Sequence, residues 1–476
     1  MTANVDRSAE QLAVLLLAGW HQGRGPAYLR LAQSLATQIR TGRLPAGSRL
    51  PTERALARAL AISRTSVVSA YSALREEGVI VSRQGAGTWV AGEVRAKPMD
   101  RPGPPFVREA VADPAALCDF ASGIGTADPY AVEVITGGDW LGDLAAETAT
   151  RGYLALGLPA LRDAIAEQYR HAGLPTSAEQ IVITGGAQQA LSLIAAAVAE
   201  PGGLAGVQNP TYSGALDAFS SAGLMPVPLA AGPEVDGRSL AEALHRHRLR
   251  LCYLIPTCHS PTGSVMPAST RAEIAAVAAA NDVPTVDDTT LAGLLLTGDP
   301  PPVLASFAPD APILTVGSLS KLTWPGLRIG WIRAPAARLA AIAAAKKAVD
   351  LGTSVVSQTI AVRLVAGLAQ ATARRRQSLL ESLDCTEKLL REQLPQWQWH
   401  RPDGGYLLWI SLPAGDGTGF ATTARQHGVP VMPGWQSSPN NTHTDRIRLC
   451  YGHPPDLLRH AIPRLAQAWH SYLGEI

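Results

Sequence analysis

Between residues 181 and 321 five apolar runs recur: IVIT (181–184), GLAGV (203–207), LRLCYLI (249–255), VPTV (283–286) and PILTV (312–316). Each passes directly into a polar cluster: GGAQQ, NPTY, PTCHSPTG, DDTT and GSLSK. Short apolar strands alternating with helix-like stretches require a mainly parallel sheet covered by helices. In such sheets the functional groups collect at the carboxyl ends of the strands, where all of these clusters fall.

Three of the clusters carry chemistry. Gly185-Gly186-Ala187 lies between a strand and a helix start, where backbone N–H groups and the helix dipole favour phosphate. Asp287 closes an apolar strand, and a carboxylate there is costly without a positive partner. Lys321 follows Ser318 and precedes Arg328. Of the 41 basic residues only five are lysines (97, 321, 346, 347 and 388), so a lysine at the end of a core strand stands out. An amine desolvated in such a place has a lowered pKa and can form a Schiff base with a carbonyl. Taken singly, these are a satisfied turn, a capping Asp and an exposed Lys. In this order they are what pyridoxal 5′-phosphate (PLP) requires, with the acid pairing its ring nitrogen.

The first hundred residues show another pattern. Leu31, Leu35 and Ile39 recur at four-residue spacing on a first helix that the turn LPAGSRLP stops. Thr52 is placed to cap a short second helix containing Leu56 and Leu60. Ser63 is placed to cap a third, whose stripe is Val67, Ala70 or Tyr71, and Leu74, and which Gly78 ends. Arg64-Thr65-Ser66 in its first turn suit a recognition helix entering a major groove. VIVSRQGAGTWV then reads as a two-stranded wing turning at Gly85 and Gly87. This is a winged helix-turn-helix plan.

Charge supports the division. The net charge is +2, yet residues 26–95 hold ten Arg, no Lys and four Glu, leaving −4 for everything from Ala96 onward. Only the head is expected to meet a polyanion. Five cysteines without CxxC spacing fit reduced thiols, and the eleven histidines form no ligand motif, so no metal site is expected. LAVLLLAGW (12–20) is too short to span a bilayer and comes after Asp6 and Glu10, so neither export nor a membrane partner is expected. The expected domains are an N-terminal extension (1–25) packed on the head and the winged head (26–92). Beyond them lie a Pro-rich linker (93–118), a large domain (119–345) and a small C-terminal α+β domain (346–476).

Through LPTER, ISRTSVVSAY and RQGAGTWV the head resembles GntR-type DNA-binding domains. The resemblance implies DNA contacts from Arg54, Arg64, Thr65 and Ser66, with Gln84 and Gly85 approaching the minor groove or backbone. The body resembles fold-type I aminotransferases through RGYLALGLPALRDAIA, ITGGAQQAL, QNPTY, SPTG, VDD, SLSKLTWPGLRIGW, PDGGYLLWI and RIRLCY. That resemblance implies Lys321 as the covalent tether of PLP and Asp287 as partner of its ring nitrogen. It implies Tyr212 stacked on the ring and Gly186, Ala187, Gln188, Ser318 and Arg328 at the phosphate. Arg448 is expected to hold a ligand carboxylate. Ser260 stands where the family usually has Asn, and Thr290 where it usually has Tyr. With shorter donors to the cofactor's phenolate, unless His259 or a water substitutes, slow turnover is expected.

The two parts in this order resemble the MocR/GabR group of bacterial regulators. The resemblance implies a cytoplasmic, nucleoid-associated homodimer, each head swapped head-to-tail onto its partner's body, on double-stranded DNA with two half-sites. An amine, an amino acid or PLP itself would be the effector. A working aminotransferase with a vestigial head is the alternative.

Overall fold

The computed structural model describes residues 27–40, 44, 47–76, 79–83, 87–90, 116–123, 125–200, 202–230 and 234–475. The expectations for the 1–25 extension, Gly78, Gln84, Gly85 and the linker up to residue 115 lie outside the described residues. The chain divides into two compact units, Met1–Arg101 and Pro102–Ile476.

In the first unit, α1 (Ala27–Arg40) buries Leu31 and Leu35 completely, with Ile39 at the edge of the same cluster. Thr52 accepts the Ala55 N–H at 3.3 Å and starts α2 (Glu53–Ala59). Ser63 accepts the Ser66 N–H at 3.1 Å and starts α3 (Arg64–Glu76). Val67, Ala70, Tyr71 and Leu74 all face inward, because residues three and four apart share one side of a helix. The wing has three strands where two were expected. β1 (Arg49–Leu50), β2 (Ile80–Arg83) and β3 (Gly87–Val90) form an antiparallel sheet in the order β1-β3-β2. The segment read as a plain turn before Pro51 supplies the additional strand.

The second unit opens with three helices, α4 (Pro129–Gly137), α5 (Trp140–Glu147) and α6 (Pro159–His171). The strands β4 (Ile181–Thr184), β5 (Leu204–Val207), β6 (Met225–Pro228), β7 (Leu249–Leu254), β8 (Thr285–Asp288), β9 (Ile313–Ser318) and β10 (Gly330–Arg333) form one sheet. Its order is β4-β10-β9-β8-β7-β5-β6. Pairing is parallel from β6 through β9, and β10 runs antiparallel to both its neighbours. Between the strands run α7 (Ala187–Val198), α8 (Ser213–Ser221), α9 (Gly237–Arg246) and α10 (Ala268–Asn281), and after them come α11 (Ala336–Asp350) and α12 (Val355–Ala366). One face of the sheet (Val182, Tyr253, Val286, Val316) packs on α7, α8 and α11. The other (Ile181, Cys252, Leu254, Ile313) packs on α6, α10 and α12.

The long helix α13 (Leu368–Gln393) leads into β11 (Gln398–Trp399), β12 (Leu407–Ser411), α14 (Gly417–Gln426), β13 (Met432–Pro433), β14 (Arg446–Cys450) and α15 (Pro455–Glu475). These strands make an antiparallel sheet over a core centred on Trp397, Phe420 and Trp469. The boundary expected between residues 345 and 346 falls inside α11, an unbroken helix. Since α12 still packs on the large sheet, the smaller part begins with α13. Among the described residues no single helix is long and apolar enough to cross a bilayer.

Candidate functional site

The carboxyl ends of the parallel strands open onto a cavity of about 390 Å3, which β12 and β14 close from the other side through Leu407 and Arg448. Lys321 lies three residues past β9. Its Nζ donates to the Gly123 carbonyl at 2.6 Å and sits 5.2 Å from the centre of the Tyr406 ring. Burial, aided by the nearby Arg448 and Arg328 charges, pulls this amine down from 10.5 to about 8. A sizeable neutral fraction near neutral pH makes it a nucleophile.

The acid of the cavity is Asp288, which corrects the expectation for Asp287. β8 begins at Thr285, two residues later than the apolar run suggested, and successive side chains on a strand point to opposite faces. Asp288 shares the cavity side with Tyr253 and Val286, while Asp287 pairs in register with Leu254 on the far side. Asp288 accepts from the Tyr253 hydroxyl at 2.7 Å and from the Thr290 N–H at 2.9 Å. Burial raises its pKa, and those bonds offset part of the rise. Asp287 accepts the Leu304 N–H at 2.8 Å; burial raises it to about 6, with Leu304 and the Arg271 charge pulling the other way.

At the opposite end Gly186 has φ of 100°, and a Cβ there would lie 2.8 Å from Arg328 Nη2. A Cβ on Gly330 would fall 2.7 Å from the Gly186 carbonyl carbon. Two glycines therefore allow β10 to press against the turn that starts α7, leaving a bare backbone cradle at a helix N-terminus. Arg328, itself at φ 55°, donates to the Gly185 carbonyl at 2.8 Å. Ala187 and Ser318 line the cavity, and the Ser318 hydroxyl donates to the Ile329 carbonyl at 3.1 Å. Gln188, also expected at the phosphate, lines the cavity, and its side chain is engaged by neighbours. Its amide nitrogen donates to the Gly214 carbonyl at 2.8 Å, and its oxygen accepts from the Tyr212 hydroxyl at 3.1 Å. Gln188 thus fixes the Tyr212 ring at the cavity wall, and its backbone N–H stays in the first turn, where N–H groups have no partner within the helix.

Arg448, only 6% exposed, projects from β14 and donates to the Ala121 carbonyl. Ser260 and Thr290 both reach the cavity wall, as does Leu291. Neither residue after the acid pair carries a phenol. His259 is not among the wall residues, and its Nδ1 is bonded to the Thr262 hydroxyl at 2.8 Å. Sequence reasoning missed Asp288, Tyr253, Tyr406, Ser122 and Gly123. The signals were present: an acid neighbouring the chosen one, a tyrosine inside an apolar strand, the aromatic of PDGGY, and the SGIG just past the linker.

In the first unit Arg54, Arg64 and Thr65 are exposed on α2 and α3. The Ser66 hydroxyl lies 2.8 Å from that of Ser63, inside the cap.

The donor set fits PLP: a glycine cradle for phosphate, an aromatic wall, a buried acid and an amine of lowered pKa. The family model for aminotransferase classes I and II matches residues 137–465. The chain belongs to that family. The model for the gntR family of bacterial regulatory proteins matches residues 27–90. The aromatic-amino-acid aminotransferase 1 of Thermococcus litoralis is 31% identical over 67% of this chain and 78% of its own length. The HTH-type transcriptional regulator TauR of Rhodobacter capsulatus is 27% identical over 94% of this chain and 97% of its own. Among solved structures, the alpha-aminoadipate aminotransferase LysN of Thermus thermophilus, complexed with N-(5′-phosphopyridoxyl)-L-leucine, matches at TM-score 0.69 and 27% identity. That match covers 78% of this chain and 95% of LysN. A GntR-type DNA-binding head joined to an aminotransferase-like body is the layout of a MocR-type transcriptional regulator, and PLP is the cofactor of this family member. When bound, PLP supplies a ring that draws electron density from an attached amine.

Proposed function

We propose that this regulator senses an amine, an amino acid or PLP itself in the body and reports it through the head. One observation carries the reading. The short stretch 121–123, just beyond the linker, is gripped by two side chains of the cavity: Arg448 holds the Ala121 carbonyl and Lys321 the Gly123 carbonyl. Tethering PLP takes Lys321 off the Gly123 carbonyl, and a ligand amine that displaces Lys321 frees it to grip again. A ligand carboxylate on Arg448 competes for the Ala121 grip. Such a ligand therefore binds the gripped and released forms with different affinity, which is what any ligand-driven switch requires.

In this reading Lys321 tethers the cofactor, Asp288 keeps its ring nitrogen protonated, and Tyr212 packs on the ring. Gly186, Ala187, Arg328 and Ser318 receive the phosphate, and the Arg448 fork takes the ligand carboxylate. With Ser260, Thr290 and Leu291 in place of longer donors, turnover as an aminotransferase is slow. Homodimer formation is supported by an exposed apolar patch: Tyr153 is 76% exposed, Val349 66% and Leu351 56%. These belong to adjoining segments, since a Cβ on Gly352 would lie 2.9 Å from the Leu154 carbonyl oxygen. Covering such a patch with a second copy removes it from water. Two heads then address two DNA half-sites in the cytoplasm.

The test pairs two variants. Arg64→Ala is expected to lower affinity for operator DNA about tenfold or more, by loss of a base or phosphate contact, while keeping the visible band of bound PLP. Lys321→Ala is expected to keep DNA binding and lose both band and ligand response. Unchanged operator binding by Arg64→Ala overturns the assignment of α3.

A further inference from the structure

Lys346 is wholly buried, and it takes no part in lining the cavity. It sits on α11 with three acceptors around its Nζ: Asp350 Oδ1 at 3.0 Å, Asp350 Oδ2 at 2.8 Å and the Thr353 hydroxyl at 3.0 Å. Asp350 also accepts the Gly352 N–H at 3.0 Å and Gln189 Nε2 at 2.9 Å. Gln189 Oε1 in turn accepts the Gly185 N–H at 2.6 Å. Gly185 is thus held through both of its backbone polar groups, its N–H by Gln189 and its carbonyl by Arg328.

The order of these bonds has a physical logic. A Gln amide can present either its oxygen or its NH2 group to a neighbour. An ionised Asp350 can only accept, so it fixes the NH2 toward itself and leaves the oxygen for Gly185. Lys346 is the enclosed charge of the pair and needs a counter-charge, which the partly exposed Asp350 supplies; an apolar pair would pack as stably but would orient nothing. Burial alone would raise the Asp350 carboxyl, yet its bonds from Lys346 and Gln189 hold it below the usual range.

We infer that Gln189, Asp350 and Lys346 are positioning residues that hold the Gly185–Gly186 turn in the shape that receives the cofactor phosphate. This rests on the reading of the cavity as the PLP site. It adds a layer of residues that touch neither cofactor nor ligand.

The test uses full-length cofactor-free protein titrated with PLP and with pyridoxal, which lacks the phosphate, with the visible band as the signal. Gln189→Leu and Lys346→Met are expected to weaken PLP about tenfold, the scale of one lost buried hydrogen bond, and to leave pyridoxal unchanged. Inorganic phosphate is expected to compete with PLP less well in both variants than in the wild type. Equal weakening of PLP and pyridoxal, or no weakening of either, overturns the inference. Gln189→Leu leaves the Lys346–Asp350 pair intact and carries the test should Lys346→Met not fold. A wild-type protein that gives no band with either compound instead sinks the reading of the site itself.

Discussion

Asp287 and Asp288 are neighbours in the chain, yet they stand on opposite faces of a sheet and answer to different surroundings. Asp288→Asn is expected to remove the negative charge beneath the cofactor and shift the pH titration of its visible band. Asp287→Ala is expected to leave that titration in place and cost stability, about 1–3 kcal/mol for the stranded Leu304 N–H; denaturant melts of both variants separate the two effects. The Lys321 amine titrates near 8, below its ordinary 10.5, because burial disfavours the charged form. Below pH 8 the nucleophilic neutral fraction grows about tenfold per pH unit, and above it the fraction saturates. The rate at which cofactor-free protein captures PLP should track that curve, rising to pH 8 and levelling beyond; a rise that continues unchanged to pH 10 contradicts a lowered pKa.

At the level of elements, α3 depends on its first turn. Ser63→Ala removes the acceptor for the Ser66 N–H, and a lost N-cap costs about 1 kcal/mol. The stability of the head is expected to fall by that amount with the body unaffected, measured by near-UV and visible signals in one thermal scan. Caps of this kind were legible in the sequence because Thr52 and Ser63 each precede an apolar stripe at helical spacing. The parallel strands of the large sheet were legible for a similar reason: buried on both faces, they read as unbroken apolar runs. That same property hid the register of β8. A continuous apolar strand gives no alternation from which to tell the faces apart, so VPTV could not say whether Asp287 or Asp288 turns toward the cavity. β1 escaped because two residues are too few for any pattern. β10 escaped because Gly330 and Trp331 read as the tail of the lysine motif rather than as a strand antiparallel to β9. The resemblance places Gln188 at the phosphate without separating backbone from side chain, and no sequence pattern shows that its side chain bonds Gly214 and Tyr212.

Over the whole molecule, charge and chemistry are segregated: ten arginines gather in the head, while the body keeps its few lysines for particular tasks. Among the described residues Lys347 and Lys388 are exposed, Lys346 is enclosed by its acceptors, and Lys321 is the one amine at the cavity. A chain so poor in primary amines has a useful property. An acylating reagent should find the outer pair in every preparation, should miss the enclosed one, and should reach position 321 only when nothing is attached there. Intact mass after brief acylation is therefore expected to show one more adduct per chain in the vitamin-free protein than in the loaded one, and peptide mapping to place it at Lys321. The scarcity of lysine makes the protein its own gauge of occupancy, readable in a mixture without any assay of DNA or catalysis.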